Sequence, residues 1–161
     1  VTFLANEVRV LAPSLPTWRG LSRDLDITPY VRIVGQFLEE LQLRRVSIIG
    51  NSMGGWIGLK ILEDRPETVE ALILEDSAGV SKSNFSKINQ ARKPILIIWG
   101  RDDKTIPVDR ASLLHSNLEG SELVVMEETS HVPHWEKPDE FNPLVLDFLR
   151  KVQGNRSRLG R

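Results

Sequence analysis

A chain of 161 residues, 40% hydrophobic and 27% charged, is long enough to bury one core, and its net charge of −1 gives no electrostatic reason to expect nucleic acid or an acidic membrane as partner. The absence of cysteine excludes disulfides, a thiol nucleophile and thiolate metal sites. No apolar run reaches the roughly 18 residues of a membrane span and no signal-peptide pattern opens the chain, so a cytoplasmic location is expected.

The first stretch, "VTFLANEVRVLAP", reads as mid-protein sequence, and the chain is expected to be a piece of a longer one. Five short runs rich in Val, Ile or Leu have the character of buried parallel strands: Val8–Ala12, Val46–Gly50, Ala71–Glu75, Ile95–Gly100 and Glu122–Glu127. Helical patterns separate them. Thr28–Pro29 reads as an N-cap and first helical position, followed by an apolar stripe of Tyr30, Val34, Phe37, Leu38 and Leu41. Ser52–Asp64 follows the second strand and Asp109–Asn117 the fourth. Asn142–Pro143 suits the start of a last helix carrying Leu144, Val145, Phe148, Leu149 and Val152 on one face. Residues 13–27 and 79–92 read as long loops. Strand–helix alternation of this kind predicts an α/β fold, a doubly wound and mostly parallel sheet of about five strands. Residues 1–153 form the expected core. The end, 154–161, with Arg156, Arg158 and Arg161, is a basic, solvated tail.

The stretch "IIGNSMGGW" carries the first chemical signal. Gly50-Asn51-Ser52-Met53-Gly54 matches the G-x-S-x-G elbow, a sharp strand-to-helix turn that exposes a serine hydroxyl at the C-terminal edge of a sheet. Crowding in the turn is expected to forbid a β-carbon at Gly50 and Gly54. The N–H of Met53 is then aimed where an oxyanion would develop. A plain helix cap fits the same motif about equally well. Next, "ILIIWGRDDKTIP" puts Asp102 and Asp103 just past an apolar strand, where a local acidic turn is the ordinary explanation. "EETSHVPHWEKP" then places His131 in the loop after the last strand. The chain order Ser52, Asp103, His131, each at the end of a strand pattern, is the order of a Ser…Asp…His hydrolase.

With "GNSMGG", "WGRDDKTIP" and "SHVPHWEKPDEFN" in view, the chain resembles an α/β-hydrolase-fold enzyme from residue 7 to about 151. Among such enzymes it is most similar to the serine hydrolases that cleave meta-ring-fission products at a carbon–carbon bond. The resemblance implies a serine hydrolase acting through an acyl-enzyme on a small ester, thioester or vinylogous diketone, with no cofactor and no metal. By the same resemblance Ser52 is the nucleophile, His131 the general base and acid, Asp103 its orienting carboxylate and Met53 N–H an oxyanion donor. Asp76, after the third strand, is the runner-up acid, and His134 is a structural residue.

The sequence departs from that family in three main places and two smaller ones. The family's opening strands and its His-Gly oxyanion loop have no counterpart, which leaves one assured oxyanion donor. Losing one such donor costs about a hundred- to thousandfold in rate. The strand that normally separates Val8–Ala12 from Val46–Gly50 is missing. That predicts either closure of the two or an apolar groove, with self-association through the exposed sheet edge. Where relatives insert a lid, only a short polar stretch around Ser81–Gln90 stands. Ser130 replaces the usual glycine before the histidine, and "APSLPTWRGLS" replaces an aspartate- and glycine-bearing loop. The alternative is therefore a truncated, catalytically inactive α/β-hydrolase-like protein.

Overall fold

The computed structural model describes residues 2–16 and 26–159. Its elements run α1 (Thr2–Ala5), α2 (Thr28–Glu40), β1 (Val46–Asn51), α3 (Met53–Asp64), β2 (Val69–Glu75), α4 (Phe85–Gln90), β3 (Ile95–Gly100), α5 (Asp109–Asn117), β4 (Glu122–Met126), α6 (Pro133–Glu136) and α7 (Pro138–Leu159). The four strands form one parallel sheet in the order β1-β2-β3-β4. Each consecutive pair is joined by a crossover containing a helix, as parallel pairing demands.

The period-2 geometry of a strand divides the core in two. Leu72 and Leu74 of β2, with Ile95, Ile97 and Trp99 of β3, pack in the cluster that holds Tyr30 of α2, Leu59 and Leu62 of α3 and Leu114 of α5. The alternate residues Ala71, Ile73, Leu96 and Ile98 pack in the cluster that holds Leu4, Phe141, Val145, Phe148 and Leu149. Helices thus cover both faces, and near-continuous burial of β2 and β3 explains why these strands read as unbroken apolar runs.

Val8–Ala12 is not a strand. A strand exists only where a neighbour takes its backbone hydrogen bonds, about 4.8 Å away. Here a groove of about 860 Å³ intervenes, lined by Val8, Val10, Leu11, Val46, Ile48 and Ile49 among others. Among the described residues the sheet therefore has four strands where about five were expected, with β1 on its edge. Ile49 on β1 and Leu11 on the opposite wall remain 40% and 39% exposed.

Other boundaries shift for local reasons. α2 begins at Thr28, whose N–H is capped by Asp26 Oδ1 at 2.9 Å, so Pro29 falls in the first turn as its missing donor requires. The last helix begins at Pro138, five residues before Pro143, which lies inside it. The N–H groups of Glu140 and Phe141 bond to Lys137 O, so the chain is already helical when it reaches Pro143. The same helix runs to Leu159, carrying the backbone of the basic end with it. The polar stretch 79–92 contains α4, started by Asn84, whose side chain accepts from Lys87 N–H. Buried Glu63 accepts from Asn84 N–H at 2.9 Å and ties this stretch to α3. The loop 13–27 lies largely outside the described residues, as do the side chains of Arg156, Arg158 and Arg161.

Candidate active site

β1 ends in a turn whose backbone is held in an unusual state. Ser52 has φ 51° and ψ −115°, a region most residues avoid, and α3 starts at the next residue. Its N–H donates to Glu75 O, while its carbonyl accepts from Gly55, Trp56 and Ala78 N–H. Ser52 is therefore bent over the end of the sheet by a fixed set of backbone bonds. A β-carbon on Gly50 would meet the backbone of Gly54 at 2.3 Å, as the elbow reading expected. Gly54 differs: a β-carbon there meets nothing within 4 Å. The crowded position after the serine is Gly55, where a β-carbon would lie 2.3 Å from Ser77 Oγ, and Gly58 packs in the same way against Leu72. Met53 is the first helical residue, and its N–H has no carbonyl one turn back to bond within the helix.

β3 ends at Gly100, and the loop after it carries Asp102 and Asp103. Asp102 is exposed, and its N–H donates to Thr129 O at 2.9 Å. The Asp103 carboxylate is buried. Its Oδ1 accepts from the N–H groups of Thr105 and Ile106 at 2.7 and 3.0 Å, and its Oδ2 meets His131 Nδ1 at 2.8 Å. Burial works to raise its pKa. The His131 ring, the two loop amides and the Asp76 side chain outweigh that and hold it below the usual aspartate value.

The loop after β4 delivers His131 through several ties. Glu136 Oε2 accepts from Ser130 N–H, and Oε1 accepts from Ser130 Oγ and Val132 N–H, so one carboxylate clasps both residues that flank His131. Asn51 Nδ2 donates to the carbonyl of His131 at 2.9 Å, which links this loop to the residue before Ser52. The Ser52 hydroxyl itself makes no hydrogen bond to the His131 ring among the described residues. The structure thus joins Asp103 to His131 side by side, and joins Ser52 to them through the side-chain amide of its neighbour Asn51.

Three residues beside this constellation were missed or undervalued in the sequence. Glu75, buried at the end of β2, accepts from His134 N–H and lies 2.8 Å from His134 Nδ1. The Glu75 hydrogen bond, working against partial burial, raises the pKa of His134. Glu136 carried no assignment from the sequence. Its spacing of six from Ser130 and four from Val132 could have suggested the clasp. Asp76 does not touch the His131 ring as an acid partner. It sits wholly buried, with φ 43°, and its Oδ1 accepts from Gly100 N–H at 3.0 Å. Burial, with Asp103 and Glu75 close by, pushes its pKa up to about 8.

Asp76, Asp103 and His131 each bring one possible metal-ligating atom within 4.8 Å of the others. The 2.8 Å contact between Asp103 and His131 is a hydrogen-bond distance. Two ligands of one zinc, each about 2.0–2.2 Å from the ion, would stand farther apart.

The sequence model described as "Alpha/beta hydrolase family" matches residues 1–85, a range that includes the Ser52 turn and stops short of Asp103 and His131. A 2-hydroxy-6-oxononadienedioate/2-hydroxy-6-oxononatrienedioate hydrolase of Klebsiella pneumoniae is 38% identical over 66 residues, which are 41% of this chain and 23% of that protein. The matched stretch is thus under a quarter of that relative's length. Among solved structures, a meta-cleavage product hydrolase from Pseudomonas fluorescens superimposes with a TM-score of 0.74 at 16% identity, over 83% of this chain and 75% of the other. An alpha/beta hydrolase enzyme from a lagoon-sediment metagenome gives 0.72 at 22% identity, over 78% and 70%. At such identities the superpositions show the fold. The strand order, the Ser52 turn and the match over more than half of the sequence agree: the chain belongs to the alpha/beta hydrolase family.

Proposed function

We propose that this chain carries the catalytic machinery of a serine hydrolase, with Ser52 as nucleophile, His131 as general base and acid, and Asp103 as the carboxylate that orients His131. The observation that carries the reading is the buried Asp103 Oδ2 at 2.8 Å from His131 Nδ1, which leaves Nε2 as the ring nitrogen free to act as base. In the reaction, Nε2 takes the Ser52 proton as Oγ adds to the substrate carbonyl carbon. The oxyanion falls to the Met53 N–H at the start of α3. Collapse breaks the bond to the leaving group, which receives the proton from His131. Water, deprotonated by the same nitrogen, then releases the acid and restores Ser52.

The substrate class is a small ester, or the carbon–carbon bond of a vinylogous diketone. The second option rests on the similarity to a 2-hydroxy-6-oxononadienedioate/2-hydroxy-6-oxononatrienedioate hydrolase and to a meta-cleavage product hydrolase. Self-association through the edge of β1 belongs to the same proposal, because that edge pairs with no further strand among the described residues and borders an apolar groove. A catalytically inactive reading draws support from the same groove and from the lack of a Ser52–His131 hydrogen bond among the described residues. Apo catalytic contacts are often long, so the geometry does not favour it.

The test is turnover of an activated aryl ester and of a synthetic vinylogous diketone. Ser52→Ala and His131→Ala should each abolish turnover of whichever substrate is accepted. Hydrolysis that survives Ser52→Ala would remove the assignment.

A further inference from the structure

Asp76 plays no part in the reaction as written, yet it is the most deeply placed carboxyl group beside the site. Its residue is 0% exposed, and it follows β2 directly, in a left-handed backbone conformation. Oδ1 is occupied by Gly100 N–H. Oδ2 is buried without a hydrogen-bond partner. A carboxylate offers about four acceptor sites. Asp103 has three engaged, by Thr105 N–H, Ile106 N–H and the His131 ring. One carboxyl oxygen of each aspartate and a ring nitrogen of His131 lie within 4.8 Å of one another. The charged or titratable groups facing Asp76 are Asp103 from the loop after β3, His131 from the loop after β4, and Glu75 beside it on β2.

Two adjacent buried carboxylates cannot both be ionised without a large penalty. Asp103 is the one with three donors, so it keeps the negative charge. Asp76 has one donor and one orphaned oxygen, so it keeps the proton, and that proton converts the orphan into a donor.

We propose that Asp76 is a positioning residue, a neutral carboxylic acid whose Oδ2–H points to the remaining acceptor site of Asp103 and fixes that carboxylate against His131. The inference rests on the proposed hydrolase function for its consequence and on the geometry alone for its existence. The proton stays on Asp76 throughout. The pair carries a single negative charge, and this balances the imidazolium that forms when His131 takes the serine proton. Ionisation of Asp76 would put a second negative charge beside the ring.

The test is nuclear magnetic resonance on the full chain with carbon-13-labelled aspartate and nitrogen-15-labelled histidine, titrated from acid to alkaline pH. One aspartate carboxyl should remain protonated at pH 6 and ionise near pH 8, and it should be absent from Asp76→Asn. The His131 ring should show a step at the same pH, which Asp76→Asn removes, because an amide also donates to Asp103 but cannot ionise. An Asp76 carboxyl already ionised at pH 6, or His131 ring signals that pass through that ionisation identically in the two proteins, would overturn the proposal. If Asp76→Asn fails to fold, the wild-type carboxyl titration decides alone. A fluorophosphonate probe on the same samples separates the two claims. Absence of Ser52 labelling in every variant sinks the hydrolase reading, while the carboxyl titration still decides the role of Asp76.

Discussion

A β-carbon on Gly100 would lie 1.9 Å from the carbonyl oxygen of Ser130, so the loop that carries His131 rests directly on the last residue of β3. That contact explains how two loops from different strands bring Asp103 and His131 to 2.8 Å. Gly100→Ala must push the loop away, since the atom in its path is backbone. Overpacking of this kind costs about 1–3 kcal/mol, and a shift of 1 Å at the base costs about a hundredfold in rate. Urea unfolding and ester turnover measured together should show the rate falling further than the stability loss explains. An unchanged rate would mean that the loop position does not govern the base.

Glu136 clasps the residues on both sides of His131 from a largely exposed position. Its pKa is lowered chiefly by the Ser130 hydroxyl and amide. Glu136→Ala should cost little stability and lower kcat at least about tenfold through a loosened His131, with KM little changed. A KM effect with intact kcat would assign Glu136 to substrate binding instead.

The His134–Glu75 pair makes stability depend on pH. His134 has a pKa raised above its unfolded value of 6.5. Its contribution is therefore fully present below pH 6.5 and is lost as pH rises through the folded value. The stability gap between wild type and His134→Gln should shrink on going from pH 6 to alkaline buffer. Asp103 has the opposite sign: its pKa is lowered, so its contribution is present above its unfolded value of 3.8 and is lost as pH falls through the folded value. Wild type should lose its advantage over Asp103→Asn on acidification. Gaps that do not move with pH would show that the pairs are not formed in solution.

The groove beside β1 leads to a prediction about association. Ile49→Lys puts a charge on the exposed edge strand without touching the Ser52 turn. Sedimentation velocity should show less self-association than wild type at equal concentration. Equal sedimentation of the two proteins would exclude this edge as the contact.

Ile95–Gly100 was legible because its burial is two-sided, and Asp109–Asn117 stands where a helix was expected after that strand. Val8–Ala12 failed because an apolar run states a preference for burial, whereas a strand also needs a partner for its backbone. The order of Ser52, Asp103 and His131 was readable because each sits at the end of a strand signal. Gly55 was not distinguishable from Gly54, since only the packing of Ser77 decides which glycine is crowded. The protonation of Asp76 was hidden for a similar reason: it follows from Gly100 and Asp103, which are distant in sequence and meet only in the fold.

The central claim is that Ser52 is made nucleophilic by a base held on Asp103. The direct measurement is covalent labelling by a fluorophosphonate, read as intact mass and located by peptide mapping. The account predicts one adduct, on Ser52, with labelling abolished in Ser52→Ala, nearly abolished in His131→Ala and strongly slowed in Asp103→Asn. An adduct that persists in Ser52→Ala, or labelling of Ser52 at the same rate after His131→Ala, would contradict it.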